Sequence, residues 1–166
     1  MRILNDFSTS VRKALYEIDP NYEKLEGLVV CGTHNFHDVE MMIDEIKKAR
    51  ENGTPALLIC AGHQLAWIEY CRNVLGIKDA TSEEISNHGT FVVVKRPTLL
   101  VGLHDGESWW SNYRCVSENS NWDEWLMNHP AFISVPYHPE YQSSKDSPHP
   151  LLVKFLKQCN TFGRQH

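Results

Sequence analysis

The chain has 166 residues, 42% of them hydrophobic and 22% charged, with a formal net charge of −5. That is one domain's worth of chain with enough apolar surface for a sizeable core, and its acidity gives no electrostatic case for nucleic acid or an anionic membrane as partner. No eighteen-residue apolar run and no signal-like N-terminus is present, and five irregularly spaced cysteines fit reduced thiols in a cytoplasm better than a disulfide framework.

In chain order, Ile3-Leu4 makes a short apolar start. A helix follows, capped by Ser8 or Ser10, with Val11, Ala14, Leu15 and Ile18 on one face and a stop at Asp19-Pro20-Asn21. Leu25 to Val30 reads as a strand leading into Cys31-Gly32-Thr33-His34-Asn35-Phe36-His37. Val39 to Arg50 reads as a helix that buries Met41, Met42, Ile46 and Ala49 and closes at Asn52-Gly53. Ala56 to Ile59 is a continuous apolar run, as expected of a strand buried on both faces. From Gln64 the period becomes helical, through Leu65, Ile68 and Cys71, and ends near Gly76.

Phe91–Val94 and Thr98–Val101 read as two strands joined by Lys95-Arg96-Pro97, a small antiparallel hairpin outside the parallel core. Glu107–Glu118 has no clear pattern; its cluster Trp109, Trp110 and Tyr113 suits a core or a partner-facing surface. Asn121–Met127 predicts a short helix around Trp122 and Trp125. Phe132 begins an apolar strand that ends in His138-Pro139-Glu140. Ser147-Pro-His-Pro150 opens a last helix packed through Leu151, Leu152, Phe155 and Leu156, with a loose tail after Cys159. Alternating strands and helices predict a single domain over residues 1–166: an α/β three-layer sandwich, flavodoxin-like, with a mostly parallel central sheet plus the hairpin.

Two stretches carry chemistry. Cys60 stands where the strand gives way to a helix, with Gly62 to relieve the bend: a nucleophile elbow with cysteine as nucleophile. A thiol over a helix N-terminus faces unpaired N–H groups, which favour its thiolate and can hold an oxyanion. His138 and Glu140 are two apart on an extended segment stiffened by Pro139. A carboxylate so placed fixes the imidazole's tautomer and leaves its other nitrogen for the thiol. A lone buried cysteine is most often structural; nucleophile, base and orienter together favour catalysis.

Cys60-Ala61-Gly62-His63-Gln64 resembles the C-x-G-x-Q motif of class I glutamine amidotransferases, and His138-Pro139-Glu140 resembles their H-P-E motif. The surroundings are most similar to the glutaminase domain of CTP synthases. Ala49-Arg-Glu-Asn-Gly-Thr-Pro55, Trp67–Gly76, Tyr137–Tyr141 and His149–Phe155 resemble that family's flanking blocks, so the likeness covers roughly residues 25–85 and 130–158.

The resemblance implies hydrolysis of glutamine or a related γ-glutamyl amide through a thioester on Cys60, with His138 as base, Glu140 as orienter and no cofactor or catalytic metal. It implies an oxyanion hole from the N–H of Ala61 and the Gly32–Thr33 turn. There the family carries P-G-G-F-G, and Cys31 and Thr33 replace its proline and second glycine. Family domains carry more chain ahead of this turn, including an extra strand and helix. Gln64 either lines the substrate pocket or is simply an early helix residue. Glu84, or Glu83 if the register slips, is expected at the substrate amino group. His34, His37 and His63 complete no strong ligand pattern, and His34 and His63 are expected to line the pocket. Leu58, where the family has glycine, allows a changed pocket.

No G-x-x-x-x-G-K-[ST] phosphate loop is present, so the expected partners are a small-molecule substrate and a separate ammonia-accepting synthetase subunit. The alternatives are a γ-glutamyl hydrolase or cysteine peptidase of the same superfamily, and a non-catalytic binding or regulatory subunit.

Overall fold

The computed structural model describes residues 1–116, 120–129 and 131–166. Its elements are β1 (Arg2–Leu4), α1 (Thr9–Ile18), β2 (Leu28–Val30), α2 (Val39–Asn52), β3 (Ala56–Ile59), α3 (Ala61–Asn73), β4 (Ala80–Ser82), β5 (Thr90–His104), β6 (Glu107–Cys115), α4 (Ser120–Asn128), β7 (Phe132–Val135) and α5 (Pro150–Gln165). Short 3-10 turns occupy Tyr22–Lys24 and Pro139–Gln142.

A parallel sheet runs in the order β1-β2-β3-β7. Its apolar runs are continuous because both faces are covered. Val29, Leu57 and Ile133, adjacent in register, pack on α1 and α5 through Leu15, Leu152 and Phe155. Their neighbours Val30 and Leu58 point the other way, onto Met42, Ile46, Leu65 and Ile68 of α2 and α3. Each such side chain contributes about 1.5–3 kcal/mol through its removal from water.

Helix α3 is buried without a break from Ala61 to Cys71. It lies between the parallel sheet, α2 and a second sheet, so it has no solvent stripe. Its start is pressed onto β2: a Cβ on Gly62 would stand 2.2 Å from the Val30 carbonyl oxygen. The helix begins at Ala61, three residues before the expected change of period.

The second sheet, in the order β4-β5-β6, corrects the expected hairpin. Residues 90–104 form one strand, and its antiparallel partner is β6, drawn from the stretch without a pattern. Ser117 and Glu118 of that stretch lie outside the described residues. The turn is Asp105-Gly106, both at positive φ, as two-residue hairpins require. Pro97 marks an irregularity instead of a turn: the register shifts between Lys95 and Leu100, where proline has no N–H to pair.

Smaller expectations shift as well. Met41 is outside the core and Ile43 is in it. Ser8 takes the cap position of α1 without a side-chain capping bond. The segment after Cys159 continues the last helix to Gln165. None of the five cysteines is in a disulfide. No helix among the described residues is long and apolar enough to cross a membrane.

Candidate active site

Three loops meet at the C-terminal ends of adjacent parallel strands, the usual place for a site in an α/β sheet. The first is the single residue between β3 and α3. Cys60 holds φ 53° and ψ −104°, backbone angles that cost a non-glycine residue on the order of 1–3 kcal/mol. The surrounding packing holds it there, at the head of α3, whose first-turn N–H groups have no partner within the helix. The second loop follows β2. A Cβ on Gly32 would stand 3.2 Å from Phe7 Cδ2 and 3.3 Å from His138 Cε1, so a side chain there would make its neighbours give by a few tenths of an ångström. The third follows β7 and carries His138 and Glu140.

Both side chains of that third loop are almost fully buried, and His138 Nδ1 lies 2.7 Å from Glu140 Oε1. The ring stacks on Tyr141, with centroids 4.5 Å apart and planes 10° from parallel. Burial opposes a charge on His138 most strongly. Hydrogen bonding with Cys60 and Glu140, and the charges of both, outweigh burial and push the imidazolium up to about 10. Nε2 is buried and makes no hydrogen bond of full geometry in the resting arrangement, although Cys60 is close enough to act on it. The thiol donates instead to the Trp110 carbonyl oxygen at 3.6 Å.

That contact exists because the β5–β6 hairpin folds over the site. Ser108 on β6 accepts from His138 N at 2.8 Å and donates to Gln142 Oε1 at 3.1 Å; Gln142 Nε2 in turn donates to Gly106 O at 2.9 Å. The hairpin is tied to the very turn that carries the imidazole.

Under it lies a cavity of about 60 Å³, lined by Gly32, Thr33, His34, Cys60, Ala61, Gln64, Glu84 and His138, with Phe7, Trp110, Asn112 and Tyr113 closing it. Gln64 is 7% exposed, and its Oε1 is buried without a hydrogen-bond partner. Burial pushes the Glu84 carboxyl up to about 7. Glu83, the alternative, accepts instead from Lys95 N at 2.7 Å and does not line the cavity. Thr33 bonds Asp6 through its hydroxyl and also joins the backbone of Asn35, so side-chain bonds shape the turn where the family uses glycine. His34 sits edge-on between Phe7 and Trp110, with ring centroids 4.5 and 4.3 Å away.

Two expectations fail here. His63 does not line the cavity: it is buried toward β7, with Nδ1 2.7 Å from Ser134 Oγ. Leu58 is a core residue and does not line the cavity. Phe7, Trp110 and Asn112 were not foreseen as lining residues. The one signal for them was the aromatic cluster at 109–113.

A larger groove, about 930 Å³, runs along α5 past Pro55, Val153 and Phe162, at the opposite end of the strands. It holds no nucleophile or acid–base pair, so chemistry and not size selects the site.

The family model described as glutamine amidotransferase class-I matches residues 5–158. The CTP synthase of Encephalitozoon cuniculi (strain GB-M1) is 31% identical over 180 aligned residues, covering 80% of this chain and 34% of that protein. The CTP synthase of Sulfolobus acidocaldarius is 29% identical, covering 90% of this chain and 37% of its own length. The chain therefore spans about a third of the length of the curated relatives it matches. Among solved structures, the glutaminase domain of Trypanosoma brucei CTPS with bound acivicin superposes with a TM-score of 0.72 at 18% identity, covering 97% of this chain and 94% of that one. That likeness speaks for the fold, and the match over residues 5–158 for the family. The chain belongs to the class I glutamine amidotransferases.

Proposed function

We propose that the site hydrolyses the side-chain carboxamide of glutamine. Cys60 attacks the carbonyl carbon, and its proton passes to His138. The N–H of Ala61, together with one from the Gly32–Thr33 turn, holds the oxyanion. The tetrahedral intermediate collapses by expelling ammonia, which takes the proton from His138 and leaves a glutamyl thioester. Water, deprotonated by the same imidazole, releases the acid and restores the thiol. Glu140 orients the ring and balances its charge in the transition state. Gln64 Oε1, buried and unpartnered, is a ready acceptor for the carboxamide N–H. Glu84 faces the α-nitrogen.

The observation that carries this reading is the buried His138–Glu140 pair turned toward a thiol on a strained elbow. An imidazole raised to about 10 holds the proton taken from the thiol until the leaving ammonia collects it. The chemistry needs no cofactor. Ammonia has to pass to an acceptor, and a separate synthetase-type subunit in the same reducing compartment is the partner that fits.

The test is intact-mass analysis after exposure to a diazo-ketone analogue of glutamine, together with ammonia release from glutamine. One adduct per chain, lost in Cys60→Ala, is the expected result. A Cys60 that a small generic alkylator modifies but the analogue does not would remove glutamine as substrate and turn attention to another amide.

A further inference from the structure

The turn after β2 is clasped by the loop after β1, residue by residue. The two strands pair in register, and the pairing runs on past their ends through Cys31 N, which donates to Leu4 O at 3.1 Å. Three consecutive residues then bond three consecutive residues. Asn5 Nδ2 donates to Cys31 O at 2.9 Å, Phe7 N donates to Gly32 O at 3.2 Å, and the Thr33 hydroxyl donates to the Asp6 carboxylate. Asn5 holds a φ of 76°, a left-handed backbone that asparagine tolerates better than most residues. The single hydroxyl hydrogen of Thr33 has a second acceptor in reach, Asn35 O at 3.0 Å, and the charged carboxylate is the stronger of the two.

The clasp fixes one peptide unit in particular. A trans peptide is planar, and its C=O and N–H point in opposite directions. With the Gly32 carbonyl held by Phe7 N, the Thr33 N–H of the same unit is turned away from that donor. Gly32 has no Cβ to resist rotation of the unit, so the backbone by itself leaves it free to turn over. Two anchors oppose this: Phe7 N on the carbonyl, and Asp6 on the side chain of the residue that carries the N–H. Thr33 Oγ1 also accepts from Asn35 N at 3.0 Å, so one hydroxyl joins the loop ahead of α1 to the loop ahead of α2. A glycine at 33 would leave Asp6 nothing to hold. Asp6 itself does not line the cavity, whereas Gly32 and Thr33 do.

Resting on the amidase reading above, we propose that Asp6 is a positioning residue for the reaction: through the Thr33 hydroxyl it keeps the Gly32–Thr33 peptide turned so that its N–H meets the oxyanion. A loosened peptide harms the tetrahedral stage, where the oxygen carries charge, and leaves ground-state binding alone. The loss therefore belongs in kcat and not in KM.

The experiment measures kcat and KM for ammonia release from glutamine, together with the rate at which iodoacetamide alkylates Cys60, followed by peptide mass. That alkylation displaces iodide from a saturated carbon and forms no oxyanion, so it reports the thiol and His138 without the turn. We expect Asp6→Ala and Thr33→Val each to lower kcat about tenfold, a fraction of the hundredfold or more that loss of an oxyanion donor costs. KM and the alkylation rate should stay within about twofold. The double variant should lose no more than either single one, because both remove the same bond. Asp6→Asn keeps an acceptor oxygen for the hydroxyl and should bring kcat back to within about threefold of the wild type. Asp6 is exposed, so truncating it leaves the core untouched.

A kcat unchanged by Asp6→Ala, losses that multiply in the double variant, an Asp6→Asn no better than Asp6→Ala, or an alkylation rate that falls in step with kcat overturns the proposal while the amidase reading stands. A wild-type protein that releases no ammonia from glutamine removes the reaction being positioned, and the proposal then falls together with that reading.

Discussion

Two ion pairs among the described residues place a carboxylate in the interior, and they are finished differently. Glu69, 1% exposed in the middle of α3, receives Arg50 from α2 in a fork, Nη2 to Oε1 at 2.7 Å and Nε to Oε2 at 3.0 Å, and Asn73 adds a third donor to Oε1. Both carboxylate oxygens are satisfied, and hydrogen bonding to Glu69 raises the pKa of the guanidinium further. His138 and Glu140 are buried as deeply, yet His138 Nε2 and Glu140 Oε2 have no hydrogen-bond partner. The first pair closes on itself and ties two helices together. The second leaves one nitrogen over for Cys60. A satisfied buried pair indicates architecture, and an unfinished one beside a nucleophile indicates chemistry.

Single substitutions should separate the two pairs. The largest effect is expected from Cys60→Ala and His138→Ala, each lowering turnover of an amide substrate about 10⁴-fold. The melting temperature should hold for Cys60→Ala, which keeps the Cβ and with it the strain of the elbow, and should fall for His138→Ala, which leaves the Glu140 carboxylate buried without its partner. Next comes Arg50→Ala, which strands the Glu69 carboxylate in the core. It should cost about 3–5 kcal/mol and lower the melting midpoint by on the order of 10 °C. The fraction that remains folded should keep its specific activity. If the folded fraction of Arg50→Ala lost activity as His138→Ala does, the two pairs would share one role and the contrast would fail.

A middling effect is expected from Glu140→Gln, which keeps an acceptor near Nδ1 and removes the charge. Turnover should fall about 10- to 100-fold. The alkaline limb of kcat should move down from about 10, because Glu140 is one of the groups that raise His138. A stability signature accompanies this. His138 is raised from 6.5 in the folded protein, so its stabilisation is complete below about 6.5 and is lost as pH rises through about 10. Melting curves across that window should slope downward in the wild type and flatten in the variant.

The catalytic stretches were legible because their signals are local. An apolar tetrad, a cysteine, a glycine two residues on and a helical period specify an elbow without knowledge of anything distant. So do a proline and an acid after a histidine. The hairpin over the site was not legible. The first four side chains of β6, Glu107–Trp110, are half-buried whichever face they take, and alternation sets in only over Ser111–Cys115, a run too short to mark the strand. Pro97, a turn former by local chemistry, sits inside a strand at a register shift. Lining residues followed the same rule. Gln64 and Ala61 line the cavity and His63 does not, because the start of α3 sets which face each residue takes, and α3 starts three residues ahead of the change of period in the sequence. Trp110 reaches Cys60 through its backbone carbonyl, a contact that no side-chain pattern announces.

The smallest expected effect belongs to Glu84, a third kind of buried acid, which has neither a cation nor a catalytic base against it. Burial alone raises it from 4.5 to about 7. The folded state therefore holds this proton more tightly than the unfolded chain does. Stability from that source is complete below about 4.5 and is lost as pH rises toward about 7, where the carboxylate must be ionised in a half-dry wall. Glu84→Gln should accordingly do nothing near pH 4, within roughly 0.5 kcal/mol. Above about 7 it should stabilise the fold by on the order of 1 kcal/mol, the shift being discounted because this group is only half-buried. Function should move the other way. The KM for free glutamine should rise in the variant, since its ammonium loses a counter-charge. Thermal melts at the two pH values and the KM ratio of variant to wild type are the measurements. A variant that is less stable above pH 7 would mean that Glu84 meets a cation in the folded protein, and would remove the distinction drawn between it and the two paired acids.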